Sequence, residues 1–183
     1  MKKIHPSIQF ILKLVGLYLI FYGFSLALIG CTAPEGRMYI PFLAEKLNLV
    51  EGFRMFLLKT SKIFTTLSGF ESEVLPPYKL SVGNSGIKLV YSCMGYGLMS
   101  LWMALVIAYP ARWKQKILPI LVGLLLINLL NILRIGGLAM MYSQGETDIF
   151  NWINHHTLFN LVVYTTMFGV YVVWIRKLNY GKN

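Results

Sequence analysis

The chain has 183 residues, 56% of them hydrophobic, and carries 17 Lys and Arg against 7 Asp and Glu, a net charge of +10. That apolar share exceeds the roughly 45–50% of ordinary soluble domains, and the length allows one domain. A charge of this size invites a nucleic-acid reading, but the basic residues stand beside apolar runs, where Lys and Arg set membrane orientation and meet anionic head groups. We therefore expect a lipid bilayer and no nucleic acid as partner. Zinc-type Cys/His clusters, a Walker loop and a dinucleotide fingerprint are all missing from the sequence, which excludes the function classes that need them.

A bilayer core needs about 20 apolar residues per helix. The first such run spans 8–30. Met1-Lys2-Lys3, this run and Leu28-Ile29-Gly30-Cys31 also fit a lipoprotein signal with a lipidated cysteine. The run is long for such a signal and cleavage would leave three spans, so the plain anchor is favoured. The next segment, 32–89, holds five Glu and seven Lys or Arg. Leu43, Leu47, Val50, Phe53, Leu57 and Leu58 recur at three- and four-residue steps, which predicts an amphipathic helix or helix pair over 41–67. Pro76-Pro77 is expected to end it. From Tyr78 to Tyr91 the pattern reads as a small β-hairpin turning at Gly83-Asn84-Ser85-Gly86. Further apolar runs at 90–109, 117–142 and 156–175 complete four expected spans.

Charge orients them. Lys2 and Lys3, then Arg112, Lys114 and Lys116, then Arg176, Lys177 and Lys182 share one side if there are four spans. By the positive-inside rule that side is the cytoplasm. The loop Ser143–Asn154 has Glu146 and Asp148 and no Lys or Arg, as expected of an outer loop. The expected fold class is an all-α integral membrane protein: one membrane domain over 1–183, both termini cytoplasmic, with 32–89 outside as interfacial helices and a hairpin.

The residues a bilayer should exclude carry the functional signal. Arg134 lies 17 positions along the third span, about 25 Å of helix rise. That is close to the outer edge of a core about 30 Å thick. Counting from the cytoplasmic ends of their own spans puts Cys93 and His156 at the same height. Alone, an arginine there can snorkel. Asn128, Asn131 and Arg134, however, step by three and form a polar stripe that should face protein or a wet cavity. Asn131 is expected to brace Arg134 or a neighbouring helix; Asn128 is read as structural. A lone membrane cysteine is most often a small apolar filler. Cys93 is expected at the outer start of its helix, where the dipole and a nearby cation favour the thiolate. Gly95 and Gly97 leave room for another backbone. His155 and His156 are adjacent, and only one can face the bundle centre. A thiol, a guanidinium and an imidazole at one level permit nucleophilic acyl transfer. A carboxylate usually orients the imidazole in such sets; Asp148 is a weak candidate.

Three motifs in order, Cys93-Met94-Gly95, Asn131-Ile132-Leu133-Arg134 and His155-His156-Thr157-Leu158-Phe159-Asn160, resemble the exosortase/archaeosortase membrane transpeptidases, as does the approach from Gly86 to Cys93. The resemblance covers about Ser81 to Val173. Members of that family often have Gly four residues after the histidine; here Asn160 takes that place, which selects His156. The resemblance implies a compact bacterial enzyme of the inner membrane, with its active site facing outside. It would cleave secreted proteins that carry a C-terminal sorting signal: a short motif, an apolar helix and a basic tail. Cys93 would attack, His156 would move the proton, and Arg134 would hold substrate or oxyanion, with Gly95, Asn131 and His155 in support. Water or an acceptor amine on a lipid or polymer would resolve the thioacyl enzyme. No metal or organic cofactor is implied. Two rivals remain: a non-enzymatic membrane assembly or transport protein, and a thiol–disulfide enzyme pairing Cys31 with Cys93.

Overall fold

The computed structural model describes residues 5–33, 38–46, 48–145 and 155–180. Six helices occur among them: α1 (Pro6–Thr32), α2 (Pro41–Lys46), α3 (Leu49–Leu67), α4 (Tyr96–Ala108), α5 (Trp113–Ser143) and α6 (His155–Tyr180). Between α3 and α4 lie three short strands, β1 (Ser72–Leu75), β2 (Lys79–Val82) and β3 (Ser85–Lys88), and a 3-10 turn, Tyr91–Cys93. Three helical stretches, Pro6–Thr32, Trp113–Ser143 and Phe159–Asn179, are long and apolar enough to cross a membrane. The protein is thus an all-α, multi-pass membrane protein with a small antiparallel sheet.

The expected span 90–109 takes a different form. Gly95, at φ +80°, separates the 3-10 turn from α4, a conformation that glycine adopts at little cost. The α-helix that follows has 13 residues, a rise of about 20 Å against a core of about 30 Å. Cys93 therefore sits in the turn ahead of the helix rather than on its first turn.

Contacts divide the chain into two compact units. The first comprises Met1–Leu26, Tyr96–Ile127 and Asn160–Asn183. The most apolar stretch of α1 has no buried residue, as suits a helix facing lipid. Elsewhere in this unit, Trp102, Tyr109, Tyr171 and Trp174 meet edge-on or tilted, with ring centroids 5.3–6.3 Å apart. Pro119 lies inside α5 and has no N–H to give the carbonyl four residues earlier. That carbonyl, of Gln115, instead accepts the Trp174 indole N–H at 3.1 Å. The Trp102 indole donates to the Pro119 carbonyl at 3.0 Å. A Cβ on Gly123 would stand 1.9 Å from the Trp102 indole nitrogen, so glycine there admits the ring.

The second unit comprises Ala27–Gly95 and Asn128–Phe159 and holds the sheet. The amphipathic pattern resolves into the pair α2 and α3; Leu47, one of the periodic positions, lies outside the described residues. Asn48 caps α3 by accepting from the Glu51 N–H at 3.0 Å. Its inner face is Val50, Arg54, Leu57, Leu58, Ser61 and Thr65, spaced by three and four as helix burial requires. Leu80 and Val82 of β2 are fully buried. Toward α5, the Ser61 hydroxyl donates to the Ile132 carbonyl at 3.4 Å, and a Cβ on Gly136 would stand 2.5 Å from the Phe64 ring.

Two local expectations need correction. Helix α3 ends at Ser68-Gly69, with Gly69 at φ +87°, a glycine stop. Pro76-Pro77 lies beyond it, in the connection between β1 and β2, and its peptide bond is cis. The hairpin of β2 and β3 forms around Gly83-Asn84, pairing Val82 with Ser85. Strand β1 joins it as a third strand, pairing Ser72 with Val82.

Candidate functional site

The site belongs wholly to the second unit. Arg134, on α5, places its Nη2 3.7 Å from the Cys93 sulfur, as a donor. One turn earlier on the same helix, Asn131 is buried, and its Nδ2 donates to the Cys93 carbonyl oxygen at 3.1 Å. Asn131 thus braces the backbone of Cys93. The guanidinium also lies over the Phe159 ring of α6, 4.6 Å from its centroid, a cation–π contact. The structure therefore brings Cys93, Asn131 and Arg134 together, with Phe159 as a fourth member that the sequence reading did not single out. Gly95 ends the turn that carries the cysteine. Both cysteines, Cys31 and Cys93, are free thiols.

His155 and His156 are the first residues of α6; their side chains lie outside the described residues, as does Asp148. Their backbone places both within one turn of Phe159, at four and three positions before it, and such spacings share a helix face. Position alone does not separate the two histidines. Among the described residues no group of three His, Cys, Asp or Glu side chains is placed to hold a metal ion.

A second layer was invisible in the sequence. Arg54 of α3 is 5% exposed. Its Nε donates to the Leu89 carbonyl at 2.8 Å, and its Nη2 donates to the same oxygen. Nη1 meets Glu51 at 3.4 Å. The guanidinium lies 3.8 Å from the Tyr78 ring centroid and 4.6 Å from that of Tyr91. The Tyr91 hydroxyl closes the set by donating to Glu51 at 2.7 Å. Burial first, and then the neighbouring Glu51 carboxylate, push the phenols of Tyr78 and Tyr91 up, Tyr91 to about 12. Both rings thus stay protonated near neutral pH. Cys93 N–H donates to the Val90 carbonyl at 2.9 Å, so the chain from Leu89 to Cys93 is pinned at its start by Arg54 and at its end by α5.

This cluster carries a stability prediction. Arg54→Met leaves the part-buried Glu51 without its cation and the Leu89 carbonyl without its donor, which costs about 3 kcal/mol. Adding Glu51→Gln to the same chain recovers part of the loss. Thermal unfolding in detergent measures both; a wild-type melting point for Arg54→Met would contradict the assignment.

The family model for transmembrane exosortases matches residues 3–173 of the chain. Neither a curated protein nor a solved structure matches it.

Proposed function

The chain belongs to the transmembrane exosortase family, and from that membership we propose that it is a cysteine transpeptidase acting on the C-terminal sorting signals of secreted proteins. The supporting observation is the guanidinium of Arg134 at 3.7 Å from the Cys93 sulfur. A cation there favours sulfur as it takes on negative charge, and the thiolate is the attacking form. With α4 counted as a fourth crossing, charge parity supports a topology with both termini in the cytoplasm of a bacterial cell and this cluster on the outer side of the inner membrane.

The reaction runs in two halves. Sulfur attacks the carbonyl carbon, and the carbonyl oxygen becomes an oxyanion that Arg134 can also meet. The C–N bond then breaks, the amine leaves with a proton from His156, and a thioester remains on Cys93. Water or an acceptor amine next attacks the thioester and gives its proton to His156, and the thiolate departs. The acceptor amine belongs to a lipid or a surface polymer. Asn131 holds the Cys93 carbonyl, and Gly95 allows the turn to leave for α4.

The test co-expresses the protein with secreted proteins that end in an apolar helix and a basic tail, and follows loss of the tail. Mass spectrometry of the enzyme should find a substrate fragment as a hydroxylamine-labile adduct on Cys93. Cleavage without any such adduct would rule out the thioacyl route. His156→Ala should slow tail removal about 10²–10⁴-fold, while His155→Ala stays near wild type. The reverse order would assign the proton transfer to His155.

A further inference from the structure

We infer that the open edge of β3 seats the substrate, taking up the extended segment on the N-terminal side of the scissile bond as an added strand. This rests on the proposed function and says how the same site holds its polypeptide.

The sheet runs β1-β2-β3, so β3 is an edge. Its pairing shows where its backbone groups point. The Leu89 N–H donates to the Tyr78 carbonyl at 2.9 Å. Opposed residues in an antiparallel ladder alternate between bonded and non-bonded pairs. Leu80 with Ile87 and Val82 with Ser85 are therefore the bonded pairs, and Ser81 with Gly86 and Lys79 with Lys88 are not. The N–H and C=O groups of Gly86 and Lys88 point away from β2, toward the free edge. Among the described residues nothing hydrogen-bonds to them. Such a row is a template for another strand.

The edge leads to the nucleophile. Lys88 is five residues from Cys93, no more than about 17 Å of extended chain, and Arg54 and Asn131 pin that stretch at its two ends. A strand laid along Gly86–Lys88 is thereby delivered to Cys93. Both sequences then run toward the sulfur, so the added strand is parallel to β3. One face of the sheet is occupied, with Leu80 and Val82 fully buried. Gly86 and Lys88 share the other face, and Gly86 adds no side chain beside the edge.

A second copy of the chain is the weaker occupant. Lys79 and Lys88 oppose each other on this face, and like charges at an edge repel the same edge of another molecule. A substrate strand meets no such obstacle. Because main-chain bonds dominate, binding should tolerate varied side chains upstream of the scissile bond and depend on free amides there.

Lys88→Pro is the direct probe. It removes an outward N–H that the sheet does not use, and proline is tolerated at that kind of edge position. The probe substrate is a synthetic peptide covering the cleavage site mapped by co-expression, offered to the full-length protein in nanodiscs. Lys88→Pro should raise KM about tenfold with kcat and the rate of Cys93 labelling by maleimide unchanged. In a Cys93→Ala background, p-benzoylphenylalanine in place of Lys88 should cross-link the peptide, and in place of Glu73 on β1 should not. A wild-type KM for folded Lys88→Pro, or cross-linking that does not favour position 88, overturns edge docking while leaving the peptidase intact. If Lys88→Pro does not fold, the cross-link decides alone. If wild type cleaves no tail, the proposed function falls and the edge docking with it.

Discussion

Cys93→Ala should abolish tail removal and leave the fold intact. The sulfur is the only atom that attacks the peptide bond in the proposed reaction, so no residual route through the thioester exists. The structural cost is small for three reasons. Cys93 is only half-buried. The Asn131 bond goes to its main-chain carbonyl and survives truncation. The turn is also held through Leu89 by Arg54. Uncut substrate should therefore accumulate to the level seen without the enzyme, while circular dichroism and melting in detergent match wild type. Cys93→Ser should be nearly as inactive, because a hydroxyl is a far weaker nucleophile than a thiol. Unchanged processing in the alanine variant would end the transpeptidase reading.

The second large effect is expected at Arg134. Arg134→Gln keeps a donor on the same helix but removes the positive charge. In related acyl transfers, loss of one group that stabilises developing charge costs about 10²–10³-fold in rate. A similar fall in the single-turnover rate is expected here. Arg134→Lys restores charge without the planar fork, so it should recover only part, the more so because the guanidinium also stacks on Phe159. Quenched-flow measurement of the first turnover separates this from product release. A rate within about threefold of wild type for Arg134→Gln would remove Arg134 from the chemistry.

What could be read in advance followed from how local each signal was. The long helices were legible because hydropathy over about 20 residues is a local property, and α1, α5 and α6 fall where it peaks. The meeting of Cys93 with Arg134 was legible because helix rise converts residue counts into height. It survived an error in the element, since the cysteine lies in a 3-10 turn and not on α4. Whether Gly95 would take a positive φ is a tertiary matter that an apolar run does not encode. Strand β1 is not legible in advance, because Ser72-Glu73-Val74-Leu75 is short and mixed and the neighbouring Pro-Pro suggests a helix stop. The Arg54 cluster was out of reach for a different reason. Its bonds join Arg54 to Leu89 and Glu51 to Tyr91, 35 and 40 residues apart, and nothing in Glu51 or Tyr91 alone distinguishes them from solvated polar groups. Asn131 is buried, as its place in the polar stripe implies, but a backbone carbonyl leaves no trace in side-chain patterns, so the sequence does not name its partner.

Asn131 and Arg134 hold the same residue, one by its carbonyl and one by its sulfur, from successive turns of a single helix. The spacing between the two grips is therefore set by helix pitch, the least deformable length a polypeptide offers. Sliding or tilting of α5 in a bilayer of changing thickness would carry both grips along together and leave the sulfur in register with its charge. Cys93 is in this sense mounted on a gauge.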